Sequence, residues 1–265
     1  MRTISYAAIA TITTILILSA CSSEPKIEFP EGLTVTDEVV GTGAVASERD
    51  FLVVHYTGYL ESDGSVFDSS LERDEPIRFQ LAVGMVIPGW DAGMEGMRAG
   101  GKRTLIIDSS LAYGEAGVPM LIPPDSDLRF EVELVDVIPE PTPWEVNDSE
   151  LVETPEGLRY FIHSEGSGDA AEEGDVVEVF YAGFLDNESN ELFDTSIRAG
   201  TNFFFELGAR MVIPGWEIGV EGMRVGEERV LIIPPQLAYG EAGAGGGIIP
   251  PNATLIFNVR VEGIE

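Results

Sequence analysis

The chain has 265 residues, 44% of them hydrophobic, so it is long enough for about two domains with real cores. Its formal net charge is −31, from 46 acidic and 15 basic residues. This charge argues against nucleic-acid binding, which depends on clustered Lys and Arg, and indicates either general solubility or adaptation to high salt, where screening relieves repulsion between carboxylates.

Residues 1–20 are predicted to be a lipoprotein signal peptide. The stretch from Ile4 to Leu18 is apolar and uncharged, yet too short to span a bilayer comfortably. It leads into Leu-Ser-Ala-Cys at residues 18–21, which resembles the lipobox of bacterial lipoproteins, where cleavage leaves the cysteine free for acylation. The alternative is an ordinary secretory signal or an N-terminal anchor helix with an incidental cysteine. The lipoprotein interpretation implies lipidation of Cys21 and a polar tether over residues 21–30. It also implies an extracytoplasmic position on a bacterial membrane, at the periplasmic face or the cell surface.

Residues 31–138 are predicted to form a first domain built mainly from strands. Residues 50–57, 102–107 and 128–137 are rich in β-branched and aromatic side chains, and the last two partly alternate polar with apolar residues. One short helix candidate follows a proline, at residues 89–97. Strands without intervening crossover helices indicate an antiparallel sheet, hence an α+β architecture.

A proline-rich linker is predicted over residues 139–150. Its prolines, in the sequence Pro-Glu-Pro-Thr-Pro, can neither continue a helix nor donate to a sheet, so the segment should be stiff and extended. The stretch from Trp144 to Leu158 is either linker or a lead-in strand for the next domain.

Residues 151–265 repeat the first domain. The string Met-Val-Ile-Pro-Gly-Trp occupies residues 85–90 and 211–216, and Leu-Ala-Tyr-Gly-Glu-Ala-Gly occupies residues 111–117 and 237–243, both at an offset of 126 residues. Repeats of solenoid proteins are about 20 to 50 residues long, so this period indicates duplicated domains. The fold class is therefore α+β, with two tandem domains that each wrap an antiparallel β-sheet around one short α-helix.

Five ordered motifs in each copy resemble the FKBP-type peptidyl-prolyl cis-trans isomerases. In the first copy they are Val-His-Tyr-Thr-Gly at 54–58, Phe-Asp-Ser-Ser at 67–70, Val-Ile-Pro-Gly-Trp at 86–90, Ala-Tyr-Gly at 112–114 and Ile-Pro-Pro at 122–124. The resemblance covers most of both copies. It implies an isomerase of Xaa-Pro peptide bonds that assists protein folding.

The resemblance also implies which residues form each pocket. The catalytic set comprises mostly aromatic residues and one aspartate per copy: Tyr56, Phe67, Asp68, Trp90, Tyr113 and Phe130 in the first, and Tyr181, Phe193, Asp194, Trp216, Tyr239 and Phe257 in the second. The substrate-binding set comprises Arg73, Ile77, Val86, Ile87, Leu121 and Ile122 in the first copy, and Phe203, Val212, Ile213, Ile248 and Ile249 in the second. Trp90 and Trp216 are expected at the pocket floors.

The two copies differ mainly at the pocket rims. The position of Arg73 corresponds to Ala199 in the second copy, with Arg198 one residue earlier, so an ion pair there is in doubt. Ile77 corresponds to Phe203, and the glycine-rich flap of the second copy is one residue longer. Both domains are expected to bind proline, with different substrate preferences.

Rotation about a prolyl bond needs neither a nucleophile nor a metal, because a dry pocket disfavours the planar, charge-separated amide. We therefore expect no cofactor and no metal site, and the isolated His55 and His163 provide no ligand cluster. The expected partners are proline-containing polypeptides, the membrane through Cys21, and macrolide inhibitors of the family. The alternative is a non-catalytic proline-binding chaperone or scaffold, in which paired pockets gain avidity.

Overall fold

A computed structural model describes residues 27–265, so the predicted signal peptide, Cys21 and most of the tether lie outside the described residues. The elements of the first domain are β1 (Leu33–Val39), β2 (Phe51–Leu60), β3 (Val66–Ser69), α1 (Ser70–Arg73), β4 (Ile77–Gln80), α2 (Pro88–Met94), β5 (Lys102–Ile107) and β6 (Leu128–Ile138). Its six strands form an antiparallel sheet in the order β1-β5-β6-β2-β3, with β4 also paired to β2.

The elements of the second domain are β7 (Val152–Glu153), β8 (Arg159–Ser164), β9 (Val176–Leu185), β10 (Leu192–Thr195), α3 (Ser196–Ala199), β11 (Phe203–Glu206), α4 (Pro214–Val220), β12 (Glu228–Ile233) and β13 (Leu255–Ile264). They repeat the arrangement of the first domain in a seven-stranded sheet, in the order β10-β9-β13-β12-β8-β7, with β11 paired to β9. The predicted α+β class, with tandem domains, is confirmed. No helix within residues 27–265 is long and apolar enough to cross a membrane.

Each core lies between one face of the sheet and the longer helix. The strand β6 shows why, because its buried residues alternate with more exposed ones along most of its length. Helix α2 begins at Pro88, whose missing N–H costs nothing in the first turn, and buries Trp90 and Met94 against the sheet. The same position in α4 is taken by Pro214, which brings Trp216 into the second core.

The structure adds elements that the sequence pattern did not reveal. Helices α1 and α3 are single turns that end in a left-handed residue, Asp74 in the first domain and Gly200 in the second. The segment after Trp144, for which the sequence allows either linker or strand, contains a short helical turn at Asp148–Glu150 and then β7. The lead-in strand is therefore only two residues long.

The linker is held by both domains. Arg49 donates two hydrogen bonds of 2.6 Å each to the Glu140 carboxylate, and Gln80 donates a third at 3.0 Å. On the other side, the buried Asn258 donates to the Thr142 carbonyl (2.9 Å) and accepts from the Trp144 amide (3.1 Å). The predicted extended linker is thus anchored by side-chain hydrogen bonds as well as stiffened by proline.

An apolar cluster joins the two domains. Phe51, at the start of β2, is 1% exposed and packs with Ala182, Phe184 and Leu192 of the second domain. Ile138 of the first domain lies against the same cluster. Burying a phenylalanine side chain contributes about 1.5–3 kcal/mol, so this cluster stabilises the contact between domains.

Candidate functional site

Each domain has a pocket lined by residues of its longer helix and of its sheet. The first pocket has a volume of about 350 Å³ and is lined by Tyr56, Phe67, Asp68, Ile77, Met85, Val86, Ile87, Trp90, Tyr113 and Phe130. The second has a volume of about 520 Å³ and is lined by Tyr181, Phe193, Asp194, Phe203, Met211, Val212, Ile213, Pro214, Trp216, Tyr239 and Phe257. The two linings correspond position by position over most of their length.

A tryptophan forms the floor of each pocket through edge contacts with its aromatic neighbours. The Trp90 ring lies 5.2 Å from both Tyr56 and Phe130, nearly perpendicular to each. Trp216 has the same relation to Tyr181, at 5.2 Å, and to Phe257, at 5.3 Å. Such pairs contribute about 0.5–1.5 kcal/mol each beyond area burial, so they hold the floor rigid.

A glycine in the central strand lets the pocket aromatics approach the sheet. A methyl group on Gly58 would lie 2.5 Å from Phe67 and 2.9 Å from Phe130, which is too close for any real contact. Gly183 stands in the same relation to Phe193 and Phe257. The glycine that ends the motif Val-His-Tyr-Thr-Gly therefore shapes the pocket wall.

A hydrogen-bond network fixes one wall of the first pocket. The Tyr56 hydroxyl donates to Asp68 Oδ2, and Arg73 pairs with Asp68 Oδ1 at 2.5 Å. Burial alone would raise the pKa of Asp68, but the hydrogen bonds from Tyr56 and Arg73 outweigh it and hold this pKa below its ordinary value. Burial, reinforced by the bond to Asp68, raises the pKa of Tyr56. The wall therefore carries an anionic carboxylate and a neutral phenol.

The second pocket keeps this network with a displaced arginine. Tyr181 donates to Asp194 Oδ2 at 2.7 Å, and burial followed by this bond raises the pKa of Tyr181. Arg198 lies 3.8 Å from Asp194 Oδ1 and donates to the Phe193 carbonyl at 2.8 Å. The ion pair that the sequence puts in doubt is thus present but longer than its counterpart, because Arg198 starts one residue earlier and also binds the backbone.

Tyr113 and Tyr239 stand at the pocket rims, 41% and 40% exposed. Burial, and the nearby charge of Asp68 or Asp194, raise the pKa of both phenols. Neither hydroxyl has a hydrogen-bond partner within residues 27–265. Each rim therefore presents an uncommitted hydrogen-bond donor to a bound ligand.

Several predicted site residues lie outside the linings. Leu121 and Ile248 are 47% and 60% exposed on the flaps, whereas Ile122 and Ile249 are buried in the cores. Arg73 acts on the pocket only through Asp68 and Tyr56. Sequence reasoning missed Met85, Met211 and Pro214, although the first two open the repeated string that already contains the floor tryptophan.

The chemistry that these pockets allow is apolar binding with a few fixed dipoles. Within the described part of the chain, no three His, Cys, Asp or Glu side chains cluster in a way that would hold a metal ion. The Trp90 indole N–H is buried without a hydrogen-bond partner among the described residues. The arrangement suits an uncharged, compact ring that needs few polar contacts.

Comparisons with known proteins agree with this geometry. Residues 43–135 and 168–262 each match the family model of the FKBP-type peptidyl-prolyl cis-trans isomerase. Human peptidyl-prolyl cis-trans isomerase FKBP10 is 39% identical over 211 residues, which cover 79% of this chain and 33% of that protein. Peptidyl-prolyl cis-trans isomerase FPR2 of Saccharomyces cerevisiae is 51% identical over 121 residues, covering 46% of this chain and 87% of that protein.

Among solved structures, the three FKBP domains of wheat FKBP73 are 26% identical, with coverage of 88% of this chain and 95% of that chain and a TM-score of 0.42. The chain spans about a third of the length of FKBP10 (33%). The two family matches cover more than half of the sequence, one in each domain. The chain therefore belongs to the family of FKBP-type peptidyl-prolyl cis-trans isomerases, represented in it by two tandem domains.

Proposed function

We propose that the chain catalyses cis–trans isomerisation of Xaa-Pro bonds in extracytoplasmic proteins and thereby assists their folding. The observation that carries the proposal is the repeated pocket, with a tryptophan floor, an aspartate that accepts from a tyrosine in the wall, and a tyrosine hydroxyl at the rim that has no hydrogen-bond partner in residues 27–265. Family membership supports it in both domains.

The pocket would act on the prolyl amide without forming a covalent bond. The planar amide resists rotation by about 18–20 kcal/mol, and water stabilises its charge-separated form. When the proline ring rests on Trp90 or Trp216, the surrounding aromatic side chains replace that water. The twisted amide, which has less charge separation, is favoured relative to the planar one.

The polar groups have separate roles in this scheme. Both oxygens of Asp68 are already engaged, one by Tyr56 and the other by Arg73. Asp68 would therefore orient Tyr56 and set the local potential rather than contact the substrate. The free hydroxyl of Tyr113 is suited to donate to a substrate carbonyl and so hold the peptide across the rim.

The direct test is the exchange rate of a Leu-Pro peptide measured by NMR exchange spectroscopy, with and without the chain. We expect cis–trans exchange to accelerate in proportion to protein concentration. Unchanged exchange with a peptide that binds would overturn the catalytic proposal and leave binding alone.

A holding function is the second candidate, because apolar side chains around the pockets face solvent. Met120 is fully exposed, Leu121 is 47% exposed and Ile248 is 60% exposed. Unbranched Met side chains adapt to varied apolar surfaces. Suppressed aggregation of an unfolded, proline-free client would favour this function, whereas protection limited to proline-containing clients would favour the isomerase.

The pH dependence of exchange catalysis should be flat between about pH 5 and about pH 9. Because its pKa is lowered, the Asp68 carboxylate is ionised at every pH above the ordinary pKa of Asp. Because their pKa values are raised, the Tyr56 and Tyr113 hydroxyls stay protonated at every pH below the ordinary pKa of Tyr. No group of this network therefore changes charge between those limits. Exchange spectroscopy needs no coupling protease, so the profile reports this protein alone. A tenfold change centred near neutral pH would contradict the assignment.

Lipidation at Cys21 is part of the proposal. In a bacterial host, the N-terminal peptide of the chain should carry acyl groups by mass spectrometry, and the protein should sediment with membranes. Cys21→Ser should abolish acylation because it removes the only cysteine in the chain, whereas Ser23→Ala should leave it intact. An unmodified Cys21 in membrane-bound protein would show that something else anchors it.

A further inference from the structure

A groove of about 510 Å³ lies between the two domains, outside both pockets. It is lined by Ile138 and Arg78 of the first domain and by apolar residues of the second, among them Phe180, Ile197 and Phe204. The Phe204 ring is 51% exposed, whereas Phe205, the next residue of β11, is 2% exposed. A groove with such a surface is suited to binding another chain.

Arg78 brings an uncommitted positive charge to this groove. Its guanidinium makes no hydrogen bond or ion pair with any residue in 27–265. The other charged residue of the groove, Glu178, accepts a hydrogen bond from Asn202 at 2.9 Å. Arg78 reaches the second domain by passing over Gly200, where an added methyl group would lie 2.2 Å from Arg78 Nε. Arg78 can approach the second domain this closely only because residue 200 has no side chain.

The groove adjoins the binding pockets through two short edge strands. In β11, Phe203 lines the second pocket and Phe204 lines the groove; in β4, Ile77 lines the first pocket and Arg78 lines the groove. Successive residues of a strand point to opposite faces, so a bound peptide would pass around the strand edge, and a sheet with its side chains is about 10 Å thick. About three or four residues of an extended peptide would span that distance, at about 3.3 Å per residue.

We propose that this groove binds the segment of a client polypeptide that flanks the proline held in the second pocket. The segment is expected to place an apolar side chain on Phe204 and an acidic side chain at Arg78. This inference rests on the proposed function, since it assumes a proline-containing client. It assigns specificity to residues several positions away from the isomerised bond.

The charge of Arg78 and the net charge of the whole chain predict opposite preferences for the charge of a bound peptide. An acidic residue in the peptide therefore distinguishes between them. A net charge of −31 repels acidic peptides at long range and attracts basic ones. A preference for Glu over Lys at a flanking position therefore requires a local cation that screening by salt does not remove. Arg78 lines the groove without an ion pair to any residue in 27–265, whereas the Glu178 carboxylate in the same groove already accepts from Asn202.

The experiment uses the full chain and fluorescent peptides in anisotropy titrations at physiological salt. A short Leu-Pro-Phe peptide is compared with versions lengthened at either end by a segment that contains Leu and Glu, Leu and Lys, or only Ser and Gly. We expect the Leu and Glu version, at one end, to bind about tenfold more tightly than the short peptide, equivalent to about 1.4 kcal/mol. The Lys version should gain less.

Variants identify the groove. Phe204→Ser should remove most of the gain, and Arg78→Glu should reverse the preference between Glu and Lys, while exchange catalysis on the short peptide stays unchanged. Arg159→Glu is the matched control, because Arg159 is exposed and lies outside the groove. An equal gain in all variants, or a change of oligomeric state in place of peptide binding, would overturn the proposal. Failure of short-peptide catalysis in the unaltered chain would count against the isomerase alone.

Discussion

Replacing both Trp90 and Trp216 with leucine is expected to lower kcat/KM for a Leu-Pro peptide by about tenfold to a hundredfold. Each substitution removes edge-on ring packing worth about 0.5–1.5 kcal/mol per aromatic pair. The smaller leucine side chain also lowers the pocket floor. Tyr56 and Phe130 would lose their aromatic neighbour in one domain, and Tyr181 and Phe257 would lose theirs in the other. Exchange spectroscopy is the measurement.

The single variants separate the two pockets. Trp90→Leu and Trp216→Leu should each retain the activity of the unaltered domain, so their losses should sum to that of the double variant. Trp144→Leu is the matched control, since the third tryptophan of the chain stacks on His163 at 5.2 Å, away from both pockets. A single variant as inactive as the double variant would show that one pocket does no catalysis.

Removing the Glu227 carboxylate, as in Glu227→Ala, should destabilise the second domain by about 3–5 kcal/mol, because the buried Arg229 would lose its charge partner. Glu227 Oε1 accepts from Arg229 Nε at 2.9 Å and from Nη2 at 2.5 Å, and the two side chains are 4% and 8% exposed. Urea unfolding followed by tryptophan fluorescence measures the loss. The transition of the first domain, which contacts the second through the cluster around Phe51, should move less than that of the second domain.

The first domain offers a matched comparison. Arg103 is equally buried and, like Arg229, donates to a carbonyl of the core helix, but its partner Asp37 is 43% exposed. Asp37→Ala should cost only about 1 kcal/mol, as expected for a pair that water reaches. Equal losses in the two domains would mean that burial of the carboxylate does not govern the cost.

The repeated motifs contain most of the residues that line the two pockets. Strings such as Val-Ile-Pro-Gly-Trp combine a helix start with a large apolar side chain, so local sequence fixes both the element and the residue that it buries. The flap residues show the limit of this reasoning. Ile122 and Ile249 turn into the cores while their neighbours Leu121 and Ile248 face solvent, a choice made by backbone turns that the motif does not specify.

Packing between the copies was beyond prediction from sequence. Phe51 and Phe184 look like ordinary strand residues of separate domains, yet each is buried by a cluster that spans both. Hydrophobic alternation shows that a face is covered but not by which partner. Arg198 illustrates a related limit. It stands one residue before the position that corresponds to Arg73, so the sequence puts its ion pair with Asp194 in doubt, but its long side chain still reaches Asp194.

The anchored linker should be cleaved by proteases more slowly than a free one. Segments between domains are usually the first sites of cleavage, because their backbone is free to enter an active site in extended form. Here the Thr142 carbonyl and the Trp144 amide are bound by Asn258, and Glu140 is bound by Arg49 and Gln80. Cleavage must wait until these bonds open, so its rate depends on the free energy of local opening rather than on surface exposure.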